Sequence, residues 1–271
     1  MDCGEGIQRQ VMSLGVGLNK ETTVLITHLH GDHVTGLLGL LQTMSLAQRS
    51  KPLNLVGPAP LLKWLRVTSE LLRIGLTFQV NFRPVRPGLV AKTTGFVVKA
   101  ARATHSVEAY AYLVEEKTRP GVFYPQRAKR LGVPEGSLWS RLQKGRSVTV
   151  GGRTVTPSQV TGPPRPGRKV GYSGDTRPSQ RLVRLFSGCD LLILDSTFRG
   201  SDRDKAVERM HSTSLEAAEL ALRAKARRLV LTHFSARYRN VSPLVREARG
   251  IFPDTVAASD GLSVRVDYPA G

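Results

Sequence analysis

The chain carries six histidines, and their placement narrows the folds open to it more than any other feature. Three stand in His28-Leu29-His30-Gly31-Asp32-His33, directly after Thr22 to Thr27 (TTVLIT), which reads as a buried strand, and before an apolar helix over Val34 to Gln48. The others each close an apolar run or open a helix. His105 follows VVKAARAT, His211 lies in ERMHSTS, and His233 follows LVLT. Asp175, in Gly171-Tyr172-Ser173-Gly174-Asp175-Thr176, follows the strand KVGY. Taken singly, a histidine in such a place is more often structural than a ligand. A set of them is different, because neighbouring strands of an α/β sheet share one crevice at their carboxyl ends. Imidazole and carboxylate together suit Zn²⁺ and similar divalent ions. The chain is therefore expected to be an α/β protein that gathers strand ends around metal.

The remaining pattern agrees. Leu53 to Val56, Thr77 to Phe82, Gly95 to Ala103 and Tyr110 to Glu115 read as strands, with a helix from Pro58 to about Ile74. After Lys169 the text predicts strands at Val170 to Tyr172, Leu191 to Leu194 and Leu229 to Leu231. Helices are expected from Pro178, over Ser214 to Ala226 with Ser214 as cap, and from Ser242-Pro243. Leu262 to Asp267 alternates like a last antiparallel strand. Between these halves, Arg119 to Gly167 is rich in Pro, Gly and Arg, with short amphipathic pieces near Gln126 to Gly132 and Leu138 to Lys144. Its end, Gly162-Pro163-Pro164-Arg165-Pro166-Gly167, admits neither a continuous helix nor a central strand. It reads as an inserted, protruding arm.

Charge concentrates there. Of a net +19, Lys117 to Lys169 contributes +11, from 12 basic residues against Glu135 alone. Such a field favours polyanions, nucleic acid first and an anionic membrane second. Arginine enrichment across a GC-rich genome accounts for such a balance equally well. No apolar run approaches the roughly 18 residues of a membrane span. Met1 to Gln10 has no signal-peptide pattern, and Cys3 and Cys189 cannot make a disulfide framework, so a cytoplasmic protein is expected.

The text around these residues resembles a known family. His-x-His-x-Asp-His, a later His, Gly-Asp-Thr and a strand-end His look like the metallo-β-lactamase fold. Asp2-Cys3-Gly4-Glu5-Gly6, THLHGDHVTGLLGLL, SGDTRP, HST and THFSARY are similar to ribonuclease Z, the tRNA 3′-processing endonucleases. The resemblance covers nearly the whole chain and implies a four-layer αβ/βα sandwich as one domain over 1–271. In it, 119–167 would be an inserted tRNA-binding arm. It also implies that N-terminal strands are missing, through a late start or a true shortening, because family members begin earlier. The function implied is zinc-dependent removal of the 3′ trailer from precursor tRNA, leaving a 3′-hydroxyl and a 5′-phosphate, by a homodimer with no membrane role. The alternative is another phosphodiesterase of the same fold.

Carried over by residue, the resemblance gives two zinc ions per chain. His28, His30 and His105 would hold one, Asp32, His33 and His233 the other, and Asp175 would bridge them. Asp32 would also accept a proton, and His211 with Glu208 would match the family's His–Glu pair, the alternative for Glu208 being a solvated helix charge. Leu194-Asp195-Ser196-Thr197 stands where many relatives have Glu-Ala-Thr. Arg165, Arg168 and Lys169 would grip tRNA phosphates.

Overall fold

The computed structural model describes residues 1–268. Two compact units divide it. One comprises Met1–Glu115 with Lys169–Val266, the other Glu116–Arg168 with the tail from Asp267.

The larger unit holds two sheets. The first has strands β1 (Thr22–Leu25), β2 (Leu53–Gly57) and β3 (Val80–Pro84), all parallel in that order. Seven strands form the second: β4 (Gly88–Lys92), β5 (Phe96–Arg102), β6 (Tyr110–Glu116), β9 (Lys169–Tyr172), β10 (Leu191–Asp195), β11 (Leu229–Thr232) and β12 (Thr255–Ala257). From β9 to β12 the strands are parallel neighbours, and β6 pairs antiparallel to β9. Leu25 and Val56 of the first sheet meet Val98, Ala100, Tyr110 and Tyr112 of the second in one buried cluster, so the sheets pack face to face.

Helices cover the outer faces. α1 (Ile7–Ser13), α2 (Gly31–Val34), α3 (Gly36–Leu46) and α4 (Pro60–Leu71) pack on the three-stranded sheet through Leu37, Leu41, Leu61 and Leu65. The short helices α8 (Gln180–Leu185) and α9 (Arg203–Glu208) precede α10 (Ser214–Arg223) and α11 (Ser242–Arg249). α8, α10 and α11 bury Leu182, Ala218, Ala221 and Val245 against Leu192, Leu194 and Leu231 of the other sheet. Helix, sheet, sheet, helix is the four-layer order expected.

Differences from the sequence reading have physical causes. The helix expected over Val34 to Gln48 is two, because Gly36 N–H donates to Cys3 O (2.9 Å) at the break. α10 is capped by Thr213 rather than Ser214; Thr213 accepts from Glu216 N–H, and Glu216 reaches back to the cap. The tail strand over Leu262 to Asp267 is not formed. Alternation marks an extended chain with one face buried but supplies no ladder partner, and the strand at this end of the sheet is β12, paired to β11. β4, with its irregular register at Leu89 and Ala91, was not foreseen.

The smaller unit is a folded body rather than a loop. α5 (Pro125–Arg130), α6 (Ser137–Gln143), the hairpin β7 (Val148–Val150) with β8 (Arg153–Val155), and α7 (Pro157–Val160) enclose Ala128, Val133, Leu142, Val148, Val155 and Val160. Leu142 is fully buried there. Leu142→Ala is expected to cost about 2–5 kcal/mol within this unit. Hydrogen exchange should rise over 125–160 while protection of β9 to β11 is unchanged; loss of protection in both would show that the two units share one core.

Candidate metal centre

Five chain segments meet at one edge of the larger unit. The loop after β1 brings His28, His30, Asp32 and His33; the chain after β5 brings His105; the turn after β9 brings Asp175. His211 lies between α9 and α10, and His233 follows β11. Their donor atoms fall into groups that each lie within 4.8 Å of one another: His28, His30, His105 and Asp175; Asp32, His33 and His233; and Asp175, His211 and His233. The buried Asp175 carboxylate sits among them. Its Oδ2 is 3.6 Å from His28 Nε2 and 3.4 Å from His233 Nε2, and its Oδ1 is 3.3 Å from His33 Nε2. Asp32, 64% exposed, stands at the mouth, 3.3 Å from His233 Nε2.

The tautomers follow from the outer partners. Asp2 accepts from Thr27 N–H (2.7 Å), Thr27 Oγ1–H (2.9 Å), His33 Nδ1–H (2.8 Å) and the Tyr172 hydroxyl (2.9 Å). Having given its proton to Asp2, the Thr27 hydroxyl must accept from His28 Nδ1–H at 2.9 Å. A second carboxylate repeats the device. Asp195 accepts from His211 Nδ1–H (2.9 Å) and from Thr197 Oγ1–H (2.6 Å), and Thr197 accepts from His233 Nδ1–H (2.8 Å). His105 Nδ1–H donates to Met210 O at 2.9 Å. In His28, His33, His105, His211 and His233 the Nδ1 proton is thus held outward, and Nε2 of the first three and of His233 faces the cluster as a lone pair.

This donor set fits a cation. His33 Nε2 is buried and makes no hydrogen bond. His30 Nδ1 lies 3.1 Å from His28 Nε2 and 3.2 Å from His105 Nε2, so three imidazole nitrogens converge within reach of a single cation. Burial drives His28 down to about 3, and His33 adds to the effect. Burial lowers His105 as well. At His33, burial is outweighed by the facing Asp175 and Asp2 carboxylates, and its pKa rises to about 10. A proton there does what a divalent ion would do. Burial also opposes the Asp175 anion, but His33, His233 and His28 hold its pKa well below the usual carboxylate range. His233 and Met210 sustain left-handed backbone at φ 61° and 59°, a local strain that the surrounding contacts hold in place.

Three expectations need correction. Glu208 is 71% exposed and its ion-pair partner is Arg209 at 3.9 Å, so it does not orient His211. Asp195 does, from the end of β10, although the sequence marks it only as a departure from the relatives' Glu-Ala-Thr. Asp2, within the segment that resembles the family, holds His33 directly and His28 through Thr27. Among the arm residues, Arg168 makes a two-point pair with Glu116 (2.9 and 2.6 Å), and Arg165 donates to Pro120 O (3.1 Å). Lys169 lies 3.5 Å from Glu115. These three sustain the arm's base, whereas Arg127, Arg130, Arg141, Lys144 and Arg146 are exposed. Burial pushes the Cys3 and Cys189 thiols up to about 11 and about 12, which removes them as nucleophiles.

The chain is similar to known proteins. A ribonuclease Z of Nitrosopumilus maritimus is 42% identical over 265 residues, 98% of this chain and 89% of that one. One of Archaeoglobus fulgidus is 42% identical over 270 residues, 98% and 88%. The crystal structure of human tRNase Z, short form, superposes with a TM-score of 0.69 at 28% identity, covering 98% of this chain and 87% of that chain. The family model for a beta-lactamase superfamily domain matches residues 127–234, and that for the anti-Pycsar protein Apyc1 matches 1–117.

Outer hydrogen bonds to metal-binding imidazoles are typically worth 10- to 100-fold in metal affinity. Asp2→Asn replaces one acceptor oxygen by a donor and disturbs His33 and His28 together. It is expected to weaken Zn²⁺ binding by about that factor, read by chelator competition. An unchanged affinity would show that the tautomers are fixed by other contacts.

Proposed function

The chain belongs to the ribonuclease Z family, endoribonucleases of the metallo-β-lactamase fold that process the 3′ end of tRNA, and we propose that it removes the 3′ trailer of precursor tRNA at a centre of two zinc ions. The observation that carries the reading is the convergence of six ligand candidates around a seventh, Asp175, with outward protons already placed. His28, His30 and His105 would hold one ion, Asp32, His33 and His233 the other, and Asp175 both. When bound, such ions lower the pKa of water and offset charge on a phosphodiester.

The residues of the chain supply the rest. Asp32, exposed at the mouth beside His233, takes the proton of the attacking water. His211 gives a proton to the departing 3′ oxygen as the P–O bond breaks, which leaves a 3′-hydroxyl on the tRNA and a 5′-phosphate on the trailer. Burial alone would lower its pKa, but the bond to Asp195 raises it, which favours the protonated ring. The exposed basic side chains of the arm would grip the tRNA backbone without reading bases. Large exposed apolar side chains, Leu46, Leu71 and Leu72 among them, suit a homodimer in which each arm holds the tRNA processed by the partner. Among the described residues no helix is long and apolar enough to cross a membrane. With two free, buried cysteines, the reading places the protein in the cytoplasm.

The direct test is cleavage of precursor tRNA with both product ends mapped and zinc counted. Two ions per chain and a single cut releasing a 5′-phosphorylated trailer are expected. One tightly held ion in fully active protein, or equal activity on unrelated RNA, would overturn the reading.

His211→Ala separates proton transfer from metal binding. Zinc content should stay the same while kcat falls about 10²- to 10⁴-fold, the usual range for a lost acid–base group. A substrate with an activated leaving group should suffer far less. Loss of zinc, or equal damage to both substrates, would make His211 a ligand or a structural residue.

A further inference from the structure

β1 and β2 run parallel, so the loops that follow them, His28 to His30 and Pro58 to Ala59, open at the same edge of their sheet. At that edge, between α2 and α4, lies a cleft of about 400 Å³, within the range that holds small ligands. Leu29, Gly31, Val34, Pro60 and Trp64 form its walls, with Lys63 beside them. Gly31 stands between His30 and Asp32, so the cleft borders the metal loop without containing any of its ligands. Trp64 is half-buried, Lys63 is exposed, and no carboxylate lines the cleft.

An apolar slot with an indole wall and an ammonium beside it matches one class of ligand, a planar base attached to a phosphate. Aromatic faces stack any base, and a lysine supplies the charge for the adjoining backbone. Nucleotides flanking a cut at the end of a tRNA acceptor stem are unpaired, and unpaired bases are free to splay out onto such a platform. Resting on the endonuclease reading above, we infer that this cleft is a nucleobase subsite. The base of a nucleotide next to the scissile phosphodiester stacks on Trp64, and Lys63 meets the neighbouring phosphate. Acting on the single-stranded junction, the subsite would set the cut's position, whereas the arm grips the body of the tRNA.

The test pairs Trp64→Ala and Trp64→Phe with precursor tRNAs made abasic at either nucleotide flanking the cut. Trp64→Ala should lower kcat/KM on unmodified precursor by about 5- to 150-fold, the range for a lost base–aromatic stack, and Trp64→Phe should retain most activity. On the substrate abasic at the contacted nucleotide, Trp64→Ala should cause no further loss, the signature of a direct pair. 2-Aminopurine at that nucleotide should be quenched on binding to the wild-type protein and not to Trp64→Ala, a readout that needs no turnover. Losses that multiply at both abasic positions would overturn the subsite. So would a change in oligomeric mass in Trp64→Ala, which would assign the cleft to a second copy of the chain. Absence of cleavage by the unaltered protein would instead sink the endonuclease reading, with the fluorescence still deciding whether Trp64 holds a base.

Discussion

The Asp2 carboxylate is the constraint from which the rest of the site follows. It accepts from a backbone N–H, a hydroxyl, an imidazole and a phenol, belonging to Thr27, His33 and Tyr172. It joins the loop after β1 in one sheet to the end of β9 in the other. At the opposite side of Asp175, Asp195 does the same for Thr197, His211 and, through Thr197, His233. Each carboxylate addresses one histidine directly and a second through a threonine hydroxyl. A buried hydroxyl with a single proton cannot donate both ways, so fixing one bond fixes the next ring. The chemistry expected at the metals is thereby settled by atoms that need not touch them.

Asp2 reaches its place because the chain beside it has almost no bulk. A Cβ on Gly4 would lie 2.2 Å from Asp32 O, and one on Gly36 would lie 2.0 Å from Gly4 O. Two glycines in contact let the Asp2–Gly4 run lie against the metal loop, where Asp2 N–H donates to Leu25 O and Cys3 N–H to His33 O. The same approach breaks the helix at Thr35 and turns α2 so that His33 faces inward while Asp32 faces solvent.

What could be read from sequence was what repeats locally. His-x-His-x-Asp-His after TTVLIT, and His105, Asp175 and His233 after their own apolar runs, announce a shared strand edge because period and position carry the signal. Asp2 and Asp195 escaped because their partners are distant: Tyr172 is 170 residues from Asp2. Glu208 stands where the resemblance puts the family's His–Glu pair, yet the left-handed Met210 between it and His211 turns the chain and leaves Glu208 outside. Arg168 and Lys169 drew notice by charge, but charge does not reveal that Glu116 and Glu115 lie opposite them. Leu262 to Asp267 has a strand's alternation and no strand, since a ladder is a property of two segments. The arm's composition disclosed an insertion and hid its core, because Val133, Leu142, Val148 and Val160 are too widely spaced to register as any one element.

The span of the site also bears on how the protein is made. Asp2 is made well before its partner Tyr172, and His233 comes later still. The segment between them, 116–168, encloses its own apolar cluster, whose members have all been made once it has emerged. Domains fold as units during synthesis, so the body translated in the middle would be finished first. A chain whose synthesis halts between Arg168 and His233 therefore holds every residue of the arm's core while the edge that gathers the histidines does not yet exist.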